Sequence, residues 1–89
     1  MIYIVSYDLG QPQRDYEDLR KKIQSYGIWA KPLESLWLIK TNETASSIME
    51  KLKTSIDKDD KLLIIEVKNH WSGLHLSDEV VKWMKNEIR

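Results

Sequence analysis

Ile2-Tyr3-Ile4-Val5-Ser6-Tyr7-Asp8 is the stretch on which the fold turns. In an extended chain Ile2 and Ile4 point one way and Tyr3, Val5 and Tyr7 the other. Both faces are apolar, whereas a half-solvated strand would alternate with polar residues. Such a strand belongs in the middle of a sheet, covered on both sides. Asp8-Leu9-Gly10 ends it. A helix follows over 12–26, with Pro12 in its first turn. Its apolar stripe is Tyr16, Leu19, Ile23 and Tyr26. Glu17 with Lys21 and Asp18 with Lys22 form i,i+4 pairs in the favourable orientation. Gly27 is placed to close the helix in the left-handed conformation.

Downstream, residues 28–41 carry two strands, over 28–32 and 36–41, or one bent one. Pro32 cannot donate to a ladder, which puts the first of these at a sheet edge. Thr41 or Asn42 caps a second helix over 43–56, with Ala45, Ile48, Met49, Leu52 and Ile56 on its apolar face. The polar turn 57–60 leads to a strand over 61–67. Residues 69–76 read as a loop or short strand. Ser77 caps a third helix over 77–88, faced by Val80, Val81, Met84 and Ile88. The order β-α-β-β-α-β plus a C-terminal helix is the ferredoxin-like α+β pattern, an antiparallel sheet in a single domain over 1–89. The first and third strands are then central and the second and fourth lie at the edges.

Two helices on one face of a four-stranded sheet leave the other face open, and here either face is apolar. The cover is the chain's own third helix or a second copy; a helix of about twelve residues is not stable undocked. The expectation is a homodimer to which the C-terminal segment contributes, with Ile64, Trp71 and Trp83 as candidate interface residues. No stretch reaches the length of a membrane span, and the N-terminus carries no basic leader, so a cytoplasmic protein is expected.

Lys plus Arg number 14 and Asp plus Glu 14, so bulk charge writes no dominant grip on a polyanion. Cysteine is absent, which excludes disulfides, thiolate zinc sites and thiol nucleophiles. Asp57, Asp59 and Asp60 suggest a calcium loop, but the sixth and twelfth positions are Leu62 and Lys68, where Gly and Glu are needed. His70 and His75 have no accompanying ligand motif. Gly10, Gly27 and Gly73 build no phosphate loop.

Asp8 is the candidate that carries chemistry. It falls at the sheet rim, where two copies meeting face to face would bring two carboxylates toward one Mg²⁺ or Mn²⁺ able to polarise a phosphodiester. The competing role is a turn residue that caps the first helix. Arg14, Lys31 and Lys40 are the candidate contacts for nucleic-acid phosphates. Trp29 and Trp71 lie beside Pro- or Gly-containing segments; exposed, they would stack bases or fill a partner's pocket, and otherwise they pack, as Trp37 and Trp83 do.

Tyr3-Ile4-Val5-Ser6-Tyr7-Asp8-Leu9, the helix end Tyr26-Gly27 and Ser35-Leu36-Trp37 together resemble the CRISPR-associated Cas-two family. Its SinR-like relatives resemble the chain further, through Lys31-Pro32, Ser35-x-Trp37-Leu38-Ile39-Lys40-Thr41 and the tail Trp71-x-Gly73, Ser77, Val80-Val81-x-Trp83. The resemblance implies a ferredoxin-like homodimer linked to RNA or DNA. It also implies that Asp8 matches the aspartate credited with metal binding in the family's nucleases, so that an enzyme of this kind would be a metal-dependent endonuclease. The other reading is a non-catalytic dimeric module that binds a protein or small ligand in a phage or defence context.

Overall fold

A computed structural model describes residues 1–11 and 16–89. Its elements are β1 (Ile2–Asp8), α1 (Glu17–Gln24), β2 (Trp29–Leu33), β3 (Leu36–Lys40), α2 (Ala45–Leu52), β4 (Lys61–Val67) and α3 (Asp78–Glu87). The strands form one antiparallel sheet in the order β2-β3-β1-β4. Each crossover, β1-α1-β2 and β3-α2-β4, skips one strand, which is the ferredoxin-like arrangement expected of the sequence.

The register sorts every side chain. Val5 lies between Trp37 and Ile64, and Tyr3 between Ile39 and Glu66, on the face that α1 and α2 cover. Tyr3, Val5, Trp37 and Ile39 pack there against Tyr16, Leu19, Ile23, Ile48 and Leu52. Each fully buried aliphatic side chain contributes about 1.5–3 kcal/mol. On the opposite face Ile4 lies between Leu38 and Ile65, and Ser6 between Leu36 and Leu63. There Ile2 and Leu38 form a second cluster with Met84 of α3 and Ile88 just after it, joined by the half-buried Ile4, Val67, Trp71, Val80 and Trp83. The chain's own third helix therefore covers part of the face for which a second copy was expected. On β4 this cover reaches Val67 but leaves Leu63 55% exposed and Ile65 48%.

The local signals act as read, with two shifts. Glu17–Lys21 and Asp18–Lys22 stand at 3.5 and 3.3 Å, and Gly27 takes φ +86° at the end of α1. Ser77 Oγ accepts from Val80 N–H at 3.2 Å. The second helix is shorter than the expected 43–56, because Thr44, not Thr41 or Asn42, is its cap: Thr44 Oγ1 accepts from Ser47 N–H at 3.1 Å. A 3-10 turn, Lys53–Ser55, ends it. The first helix is described from Glu17; Pro12 and the rest of its expected start lie outside the described residues. Residues 68–77 form neither strand nor helix. Among the described residues no helix is long and apolar enough to cross a membrane.

Candidate functional site at the end of β1

Asp8 is the last residue of β1 and is exposed. The strand reaches this rim tied on both sides. Tyr7 N–H donates to Ser35 O at 3.1 Å, and the Tyr7 hydroxyl accepts from Trp37 Nε1–H at 3.0 Å. Beyond Asp8 the chain is fastened to the α2–β4 turn. Asp60 Oδ1 accepts from Gly10 N–H at 2.7 Å and from the Tyr16 hydroxyl at 2.9 Å. Asp60 Oδ2 accepts from Asp57 N–H at 2.7 Å. The approach at Gly10 is close: a Cβ there would stand 3.0 Å from Asp59 O, so a larger residue would push the turn back by a few tenths of an ångström. The acidic turn is thus a hydrogen-bonded clasp that fixes the exit from β1.

Directly across the β1–β4 pair from Asp8 is Lys61. The two flank a shallow depression of about 170 Å³, lined also by Ser6, Tyr7, Leu62 and Leu63. The surface is one carboxylate beside one ammonium, with apolar β4 residues alongside. Among the described residues no group of three or more His, Cys, Asp or Glu side chains is placed to hold a metal ion. Among the described residues Asp8 is the carboxylate that lines this depression, and an ion such as Mg²⁺ takes about six oxygen ligands.

The remaining candidates are dispersed. Lys40 closes β3 opposite Ile2, six residues of β1 away from Asp8, or roughly 20 Å along the strand direction. Its Nζ is paired with Glu87 at 2.9 Å. Lys31 lies on β2, two strands from β1, with Nζ 5.1 Å from the centroid of Trp37. Arg14 lies outside the described residues. Ile64 faces α1 and α2 and packs half-buried against their core. Trp71, from the loop before α3, and Trp83, on α3 itself, pack half-buried in the second cluster of the same chain. The sequence reading missed Lys61 beside Asp8, and Leu63 and Ile65 as the exposed apolar residues of β4; the register of β4 against β1 is the signal that finds all three.

No curated protein and no solved structure is significantly similar to the chain. A family model does match it: CRISPR associated protein Cas2, over residues 1–73. The matched stretch contains all four strands, α1, α2 and Asp8, and ends ahead of α3. The chain belongs to the family of CRISPR associated protein Cas2.

Proposed function

We propose that the protein acts as a homodimer in a nucleic-acid-linked, CRISPR-associated role, with the Asp8 end of the sheet as a metal-dependent phosphodiester site. One observation carries this reading. Leu63 and Ile65 are 55% and 48% exposed on the sheet face that also holds Asp8, where α3 gives no cover. An exposed apolar patch on a sheet face favours a partner. A second copy seated there brings its own Asp8 toward the first, and two carboxylates supply what one lacks. Mg²⁺ or Mn²⁺ bound between them would polarise a phosphodiester and lower the pKa of bound water. Lys61 would then meet a substrate phosphate. The SinR-like relatives are the branch of the superfamily to which we assign the chain.

A second reading rests on the same pair. Lys61 stands directly opposite Asp8 in the β1–β4 register, which sets a basic residue beside the acidic one, and the chain has equal numbers of acidic and basic residues. A dimer with that surface suits an interaction module that binds a protein or small ligand without catalysis.

The test compares wild type with Asp8→Asn on short RNA and DNA, in Mg²⁺, Mn²⁺ or EDTA, alongside sedimentation at several concentrations. A concentration-dependent dimer in both proteins, with metal-dependent cleavage only in wild type, is the result expected. A dimer without cleavage or salt-dependent binding selects the interaction module. A monomer at every concentration removes both readings.

A further inference from the structure

At the opposite corner of the sheet from Asp8, a cleft of about 530 Å³ wraps the free edge of β2. Its walls include Trp29 and Lys31 of β2, the α3 cap Ser77, and Glu79 and Trp83 of α3. The volume lies within the range of small-molecule sites. Trp29 is opposite Ile39, at the level of Tyr3, so the cleft lies five residues of β1, or roughly 16 Å, from Asp8 along the strands and two strands across.

The chemistry of this lining is specific. Trp29 leans on the buried Trp37 with centroids 5.1 Å apart and planes tilted by 57°, which fixes its ring while leaving it 37% exposed. Trp83 is held half-buried in the second core. Two indoles anchored from opposite faces of the sheet thus border one cavity, and an indole's free face stacks flat aromatic rings. Lys40 N–H donates to Ile28 O at 2.9 Å, so Ile28 bonds inward and the main-chain N–H and C=O of Trp29 face the free edge. Glu79 and Lys31 form no ion pair among the described residues. A flat ring bordered by a carboxylate acceptor and an ammonium donor matches a purine nucleotide. A carboxylate accepts two N–H groups from the N1/N2 edge of guanine but only one from adenine N6. An organic cation fits the indoles and Glu79 but meets repulsion from Lys31.

We propose that this cleft is a guanine-nucleotide site, in which Trp29 and Trp83 border the base, Glu79 accepts from its N1–H and N2–H edge, and Lys31 holds the phosphate. The site is separate from the Asp8 surface and does not depend on that reading. The same chemistry arises from a free mononucleotide or from a guanine in a single strand.

The experiment follows the four indole N–H signals of the full chain by NMR during titration with GMP, AMP, UMP, guanosine and a single-stranded RNA hexamer containing one guanine. GMP should shift Trp29 and Trp83 and leave Trp71 in place, with affinity at least about fivefold above AMP. Glu79→Gln should erase that preference, and Lys31→Ala should weaken GMP while leaving guanosine unchanged. Both side chains are exposed, and the backbone amide spectrum reports that the variants fold. Asp8→Asn should leave every shift intact, which keeps this test independent of cleavage. The hexamer binding far more tightly than GMP identifies a strand as the source; equal affinity identifies a free nucleotide. No shift at Trp29 and Trp83 with either GMP or the hexamer, or an unchanged preference in Glu79→Gln, overturns the proposal.

Discussion

Asp8 and Lys61 are directly opposed residues at the open end of the β1–β4 pair. Opposed side chains in an antiparallel pair have Cβ atoms about 4.5–5.5 Å apart, so the ammonium competes with any cation for the carboxylate. Replacing Lys61 by Ala should tighten Mn²⁺ binding at Asp8 by about two- to fivefold, the range of an exposed charge pair. Asp8→Asn should abolish that binding. Paramagnetic broadening of signals from residues 6–9 is the measurement; equal broadening in wild type and Asp8→Asn would place the ion elsewhere.

The proposed dimer surface separates neighbours on one strand. Leu63→Lys and Ile65→Lys should give folded monomers, because both side chains are exposed on the open face. Ile64→Lys should instead lower stability by about 1–2 kcal/mol, since Ile64 packs half-buried against the helices. Sedimentation velocity and urea unfolding together distinguish the outcomes. Dimer retention in both exposed-position variants would move the interface off this face.

Asp60 should behave as a structural carboxylate. Its two oxygens accept from Gly10, Tyr16 and Asp57. Asp60→Ala leaves three donors short and should cost about 2–3 kcal/mol in urea unfolding. Asp60→Asn, which keeps one acceptor oxygen, should cost about 1 kcal/mol. Calcium should change neither value.

Tyr26 sets an alkaline limit. Burial first, and the nearby Glu43 carboxylate second, push its hydroxyl up to about 12 from the ordinary 10.0. The neutral form is favoured in the folded chain, so its contribution is complete below pH 10 and is lost as pH rises from 10 toward 12. The hydroxyl has no hydrogen-bond partner among the described residues. Tyr26→Phe should therefore be nearly neutral at pH 7 and should flatten the fall in stability above pH 10, read by thermal unfolding at half-unit pH steps. A wild-type and variant fall of equal slope would contradict this.

What could be read in the chain follows from how local each cause is. The two apolar faces of residues 2–7 require a central strand, and Pro32 requires an edge, whatever the partners. The cap at Ser77 is equally local. The cap of α2 is not, because Thr41, Asn42 and Thr44 all offer an oxygen. Thr41 Oγ1 is taken by Glu43 N–H at 3.2 Å, inside the turn that delivers Thr44 to the helix. At the site, Asp8 is legible from its place at the end of a strand. Lys61 becomes its neighbour only through register, which the sequence does not print. The facing of β4 was hidden for a similar reason. Leu62-Leu63-Ile64-Ile65 is apolar at every position, so period-two alternation carries no parity, and Ile64 and Leu63 exchange faces with a one-residue slip.

The attachment of α3 has a consequence for the exchange behaviour of the molecule. The helix is joined to β4 by ten residues without regular structure and is seated through Val80, Trp83 and Met84, with Ile88 just beyond its end, while the sheet is knit to α1 and α2 by the larger core. Subglobal opening follows the smaller contact. Amides of α3 should therefore exchange with solvent through detachment of that helix alone, at a free energy below that of global unfolding. In the detached form Ile2 and Leu38 join Leu63 and Ile65 in one continuous wet apolar surface. The form with α3 detached is thus the stickier one, and the contacts that Val80, Trp83, Met84 and Ile88 make in the second cluster hold its population down.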